Sequence, residues 1–250
     1  QAVAVQCPAL ADTVLSAIDA ARDSQPTPGG LAAGHDASAE AVADLGEAAN
    51  AATFADVVAD EAPESIVGTE GGRVAIVAQN GSVAREFALD APVTALATGD
   101  LTGDGNVEIV VGTEAGVISA WTVEGDELWS YTFERPRITQ AGLYVSDITC
   151  YDLDSDGRDE VLATSLSGSW SILGPEGEAL KETVRGKTAV FIAGTDLEGD
   201  GTGEYTVGTE WRGMNVYRFG SDWHRRFRPG RGVKSAAFAD LNADGLKEAL

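Results

Sequence analysis

Beyond residue 50, apolar residues come in short runs that recur in a fixed order. A first run (93–97, 143–149, 189–194, 235–239) precedes an acidic stretch, and a second (108–112, 204–208) follows it. A glycine-containing turn then leads to a third run, Val117-Ile118-Ser119-Ala120-Trp121-Thr122-Val123, in which apolar and polar positions alternate with the period of a β-strand. Another turn, Glu124-Gly125-Asp126, comes before a fourth run at 128–133. Helical periodicity is absent over 51–250. Four antiparallel strands in about 44 residues is the size of one propeller blade. The expected fold class is all-β: a β-propeller of four-stranded antiparallel blades, with a short N-terminal helical segment.

That segment is 8–23, where Leu10, Val14, Ala17, Ile18 and Ala21 share one helical face and Asp12, Ser16, Asp19 and Asp23 lie off it. It is expected to pack against the main domain. Gln25-Pro26-Thr27-Pro28-Gly29-Gly30 breaks the pattern, so 1–28 reads as helix and linker. Residues 29–50 are Ala-rich and open in assignment; 29–45 can be laid over 71–87, as two short strands of a closing or partial blade. The repeats occupy 51–250, and the last is cut inside its second strand. A longer parent chain is expected. The alternative is a five-bladed ring closed by 29–45, which would remove exposed sheet edges.

The acidic stretches are the chemistry of the chain. Asp152-Leu153-Asp154-Ser155-Asp156-Gly157-Arg158-Asp159-Glu160 places carboxylates at loop positions 1, 3, 5 and 9, and Gly157 permits the tight curl that brings them together. Position 7, Arg158, offers a backbone carbonyl. Hard oxygen donors in this number suit calcium. An EF-hand would need a Glu at position 12, where Ala163 stands. The loop recurs with ligand candidates Asp100, Thr102, Asp104, Asn106 and Glu108; then Asp196, Glu198, Asp200, Thr202 and Glu204; then Asp240, Asn242, Asp244, Leu246 and Glu248. A worn copy begins at Asp56, with Asp60 and Glu64 retained but Val58 and Glu61 replacing the second ligand and the glycine, so it is expected to hold no ion. The starts at 56, 100, 152, 196 and 240 are separated by 44, 52, 44 and 44 residues, a repeat period with one insertion. About four structural calcium sites follow.

Charge narrows the partners. Forty acidic against seventeen basic residues give −23, which repels nucleic acid and anionic membranes. Lysines number only four, Lys181, Lys187, Lys234 and Lys247, and residues 1–60 alone hold nine acids and one arginine. Both features point to a salt-adapted source, where ions screen self-repulsion, with an ordinary acidic secreted protein as the alternative. Cys7 and Cys150 are too few for a disulfide framework, and Cys150, in an apolar strand, reads as a small buried side chain. No run reaches the ~18 apolar residues of a membrane span.

The motif Gly99-Asp100-Leu101-Thr102-Gly103-Asp104-Gly105-Asn106-Val107-Glu108-Ile109-Val110-Val111-Gly112-Thr113 resembles the FG-GAP/VCBS repeats of integrin α-subunit heads and many secreted bacterial and archaeal proteins. Phe238-Ala239-Asp240-Leu241-Asn242-Ala243-Asp244-Gly245 is more similar still, and 116–129 looks like the outer half of quinoprotein-type blades. The resemblance implies a propeller with a calcium ion between first and second strands of each blade, working outside the cytoplasm or on the cell surface. The literal Phe-Gly…Gly-Ala-Pro signature is missing, so integrin-like ligand recognition is not implied.

Basic residues cluster between a fourth strand and the next first strand: Arg135 and Arg137; Lys181, Arg185 and Lys187; Arg225, Arg226, Arg228, Arg231 and Lys234. They are expected on the face opposite the acidic loops. Arg135, Arg137, Arg185, Arg225, Arg226, Arg228 and Arg231 are therefore candidates for an anionic partner, a protein patch or a polysaccharide. Charge balancing is the plainer alternative. Trp121, Trp129, Trp170, Trp211 and Trp223 are expected to fill gaps between sheets, and Asn80-Gly81-Ser82 to form a hairpin turn. With His35 and His224 the only histidines and no Gly-x-Ser-x-Gly or H-E-x-x-H motif, no catalytic set can be assembled. The expected function is an extracellular calcium-binding scaffold for binding or adhesion. The alternatives are the propeller part of a lyase-like enzyme on anionic polysaccharides, or a structural subunit of a surface layer or filament.

Overall fold

The computed structural model describes residues 43–57, 63–134, 142–184, 189–210, 213–227, 233–241 and 246–249. The expected helix at 8–23, its linker, Cys7, His35 and the segment up to 42 lie outside them. Four sheets follow one another. The first holds β1 (Ala49–Ala55), β2 (Glu64–Thr69), β3 (Arg73–Val77) and β4 (Val83–Ala88); the second β5 (Val93–Gly99), β6 (Glu108–Thr113), β7 (Val117–Trp121) and β8 (Glu127–Thr132). The third holds β9 (Val145–Tyr151), β10 (Glu160–Ser165), β11 (Ser169–Leu173) and β12 (Ala179–Val184); the fourth β13 (Ala189–Thr195), β14 (Glu204–Thr209), β15 (Gly213–Arg218) and β16 (His224–Phe227). A short pair, β17 (Phe238–Ala239) and β18 (Glu248–Ala249), begins a fifth.

Each full sheet is an antiparallel meander in sequence order. The first strands β1, β5, β9 and β13 neighbour one another in succession, so the sheets stand side by side like blades about an axis. Every residue of β6 and β10 is buried, because both faces of a blade's second strand are covered by neighbours. Alternate side chains of β6 serve alternate interfaces. Ile109 and Val111 join Ile66, Val74 and Ile76 between blades one and two, while Val110 joins Val145, Val161 and Leu173 between blades two and three. Leu162, Ile172, Ile192 and Val207 fill the next interface. The outermost strands are largely exposed, and β16 is exposed throughout. This is a β-propeller, as the repeat length predicts.

Polar bonds lace the inner strands. The second residue of one inner strand donates to the first carbonyl of the next: Asn50 to Val93 (3.2 Å), Thr94 to Val145 (2.8 Å) and Ser146 to Ala189 (3.0 Å). Close approach is secured by glycine. A Cβ on Gly68 would meet Val93 Cγ1 at 2.2 Å, and one on Gly112 would meet Val145 Cγ1 at 2.5 Å. Tryptophans fill gaps between blades as expected: Trp121 stacks on Phe87, Trp129 Nε1 donates to the Pro175 carbonyl, and Trp170 packs on Tyr205. Trp223 differs, being 41% exposed with Arg225 over its ring. Asn80-Gly81 turns between β3 and β4, with Asn80 Oδ1 accepting from Ser82 N and Oγ. Cys150 is a free, partly buried thiol against the second blade interface, and burial pushes its pKa up. Among the described residues no helix is long and apolar enough to cross a membrane.

Candidate metal centre

Each acidic loop joins a blade's inner strand to its second strand, and three are built by one set of bonds. The position-1 aspartate is the organiser. Asp100 Oδ1 accepts from Gly103 N (2.7 Å) and Asp104 N (3.2 Å), and its Oδ2 accepts from Gly105 N (2.7 Å). Asp196 repeats this with Gly199, Asp200 and Gly201, and Asp152 with Asp156 and Gly157. The position-5 aspartate then accepts the amide of position 7: Asp104 from Asn106, Asp156 from Arg158, Asp200 from Thr202. The curl requires left-handed backbone at position 6, where Gly105, Gly157 and Gly201 have φ of 85°, 88° and 82°. Position 4 is left-handed too. Gly103 and Gly199 supply it in two loops, while Ser155 does so at φ 61° and donates its hydroxyl to the Gly201 carbonyl of the next loop at 2.8 Å.

In the Asp152 loop this scaffold brings one oxygen from each of Asp152, Asp154 and Asp156 within 4.8 Å of the others. The donor set is wholly hard carboxylate oxygen on a solvent-facing loop, which fits a calcium-type cation. The local field favours one as well. Buried Glu160 beneath the loop is pushed up to about 7, first by desolvation and then by the charges of Asp154, Asp156 and Asp152, against the pull of the Leu153 amide. In the Asp100 loop, burial likewise raises Glu108, while the backbone and side chain of Asn106 hold Asp104 low.

The position-9 glutamates, predicted as ligands, also bind the loop backbone. Glu108, Glu160 and Glu204 are all buried, and their Oε2 atoms accept the position-2 amides of Leu101 (2.8 Å), Leu153 (2.8 Å) and Leu197 (2.9 Å). Glu64 makes the same bond to Val57 N (3.1 Å) in the worn copy. In all four copies, therefore, one oxygen of this glutamate is held by the backbone at the start of the loop.

The Asp196 loop is arranged differently. Arg218, at the end of β15, donates from Nη1 to Glu198 Oε2 (3.0 Å) and Glu204 Oε1 (3.3 Å), and from Nη2 to Asp200 Oδ2. Nothing in the spacing pattern marks Arg218; its only sequence signal is its place one blade period after Gly174. Of the Asp240 loop, Asn242, Asp244 and Gly245 lie outside the described residues, as do Val58, Asp60 and Glu61 of the worn copy.

Neighbouring loops are clasped together. Position-8 amides donate to the preceding loop: Asp159 N to Asp100 O (2.8 Å), Gly203 N to Leu153 O (2.7 Å) and Lys247 N to Leu197 O (3.3 Å). Asp159 is partly buried, with Oδ2 accepting the Asp100 amide at 3.1 Å. Arg158 spans the same gap, donating from Nε to the Leu101 carbonyl and from Nη2 to Glu176.

The predicted cationic connectors are only partly described. Arg135, Arg137, Arg185, Arg228, Arg231 and Lys187 lie outside the described residues. Lys181, Arg225 and Arg226 are not on connectors at all: they sit in the outermost strands β12 and β16. Arg225 pairs across from Val216 and Arg226 from Asn215, which extends the β15–β16 hairpin through the basic run. Lys181 Nζ lies 5.7 Å from the ring centroids of Tyr205 and Tyr217.

Residues 100–163, spanning the Asp100 and Asp152 loops, match the FG-GAP-like repeat family. No curated protein matches the chain. Solved structures do. Sqt1 of Saccharomyces cerevisiae superposes with a TM-score of 0.65 at 11% identity, over 79% of this chain and 55% of that one. BBS1N, solved in complex with ARL6DN, gives 0.59 at 14%, over 79% and 60%. The V. cholerae biofilm matrix protein Bap1 gives 0.56 at 19%, over 76% and 30%. At such identities the likeness is one of fold. The chain spans 55–60% of the length of Sqt1 and BBS1N.

Proposed function

We propose that this β-propeller, which carries an FG-GAP-like repeat over residues 100–163, is a non-catalytic binding scaffold whose loops are closed by calcium, and that it works outside the cytoplasm. The observation that carries the calcium reading is the convergence of Asp152, Asp154 and Asp156. Three carboxylates held this close repel one another unless a cation lies among them. Asp100, Asp104 and the Thr102 hydroxyl form a second, weaker donor set in the same backbone frame. Exposed sites with few protein ligands bind calcium at roughly 10⁻⁴–10⁻³ M, the range of extracellular modules. The surface charge of −23 agrees with a salty surrounding that screens it.

The fold supports the binding role: successive packed blades leave loops and outer strands free to present side chains. The exposed β16, with Arg225 over Trp223 and Arg226 bonded to Asn215, is the cationic edge offered to an anionic protein or polysaccharide. BBS1N, whose structure contains ARL6DN, is a propeller neighbour with a protein partner, which supports the same use here. Calorimetric titration with calcium tests the reading. Heat of binding is expected for the parent chain, and Asp154→Asn is expected to remove one site. Absence of any binding at 10 mM calcium, about 100 times a 10⁻⁴ M Kd, rejects it.

A further inference from the structure

We infer that the Asp196 loop takes no divalent ion, because Arg218 occupies its place as a cation supplied by the chain itself. The inference rests on the calcium reading of the Asp152 loop and concerns which loops share it. Arg218 joins the carboxylates of Glu198, Asp200 and Glu204, three of the ligand candidates that the repeat places in this loop. In register, Arg218 lies directly across from Glu204, so the guanidinium rises from the floor of the loop rather than reaching in from solvent.

The equivalent positions in the other blades are Ala78, Thr122 and Gly174, each one residue past the third strand of its blade. None of those side chains is long enough to reach a loop carboxylate. Position 3 changes with it: Glu198 stands where Thr102 and Asp154 stand elsewhere, and its extra methylene carries the carboxylate out to Nη1 at 3.0 Å. Two coordinated departures from the repeat thus occur in one blade, and they meet. The outcome is visible in the oxygens. Among the described residues, the three carboxylates of the Asp152 loop converge on each other, whereas Glu198 and Asp200 are aimed at the guanidinium. A dication entering there would face a fixed positive charge at contact distance and would have to displace bidentate-type bonds.

The loops are then not equivalent. Calcium withdrawal should open the Asp152 loop while the Asp196 loop stays closed, with Gly203 N still able to hold the Leu153 carbonyl at 2.7 Å. The test is the number of calcium ions bound per chain, by equilibrium dialysis on the full chain, for the parent and for Asp154→Asn, Asp200→Asn, Arg218→Gln and Arg218→Lys, with melting curves to show that each is folded. The inference expects Asp154→Asn to lower the count by one, Asp200→Asn to leave it unchanged, Arg218→Gln to raise it by one and Arg218→Lys to leave it unchanged. If Asp154→Asn and Asp200→Asn each lower the count by one, the inference is overturned and the calcium reading stands. A gain on Arg218→Lys as large as on Arg218→Gln overturns the role of charge. A parent that binds no ion overturns the calcium reading and this inference together.

Discussion

The carboxylate of Glu64 accepts the amide of Val57 at 3.1 Å, in a loop where Val58 and Glu61 replace the second ligand and the glycine. The same bond recurs from Glu108 to Leu101 and from Glu160 to Leu153, so the glutamate is a staple between the start of the loop and the second strand. Its stabilising effect should be independent of metal. Glu64→Ala leaves the Val57 amide without its acceptor and is expected to lower stability by about 2 kcal/mol. Urea denaturation with calcium and with a chelator should give the same loss for this variant. A loss that appears only with calcium would show that the Asp56 copy still holds an ion.

Calcium itself should act through the Asp152 loop. An ion that binds the folded chain alone stabilises by about 2.7 kcal/mol when its concentration is 100 times Kd. Melting is therefore expected to shift upward by several degrees on adding calcium. Asp154→Asn should remove most of that shift without changing the melting point in chelator by a comparable amount.

Two glycines of one repeat serve different ends. Gly157 has φ 88° and open space around the position of a Cβ, so Gly157→Ala meets backbone strain alone, about 1 kcal/mol. Gly112 has ordinary backbone, but a Cβ there would lie 2.5 Å from Val145 and 2.8 Å from Ile148, side chains of the next blade. Gly112→Ala must push two blades apart and is expected to lose about 3 kcal/mol. The expected order of melting points is parent, then Gly157→Ala, then Gly112→Ala; equal losses would mean that the blades can shift freely.

The blades were legible because a strand covered on one or both faces leaves an apolar signature, as in Ile109-Val110-Val111, and because Asp-x-x-x-Asp-Gly spacing marks each loop. What stayed hidden depends on where side chains point. Glu108 and Asp104 are both acids at regular spacing, yet one turns into the blade and the other to solvent. Arg218 lies 14 residues beyond Glu204 and meets it only through strand register. Arg225 and Arg226 looked like a connector because β16 is exposed on both faces and carries no apolar pattern to announce a strand.

Asp147 gives the clearest pH dependence. It lies on the inner strand β9, where the equivalent residues of the other blades are Ala51, Ala95 and Phe191. Its Oδ2 accepts the Ile192 amide of the next blade at 2.9 Å. Burial pushes its pKa from 3.8 up to about 6, against the pull of the Ile192 and Ile148 amides. The folded chain thus holds a proton between about pH 4 and 6 that the unfolded chain has released, so this group makes stability fall as pH rises through that window. The gap corresponds to about 3 kcal/mol lost at neutral pH relative to the protonated form. Asp147→Asn keeps an oxygen for the Ile192 amide and removes the charge. It should be more stable than the parent by about 2–3 kcal/mol at pH 7.5, with the advantage shrinking through pH 6 and gone below about 4. Urea denaturation of both chains across that range checks it. A constant difference at every pH would mean that the carboxylate is solvated and that the blade interface tolerates its charge.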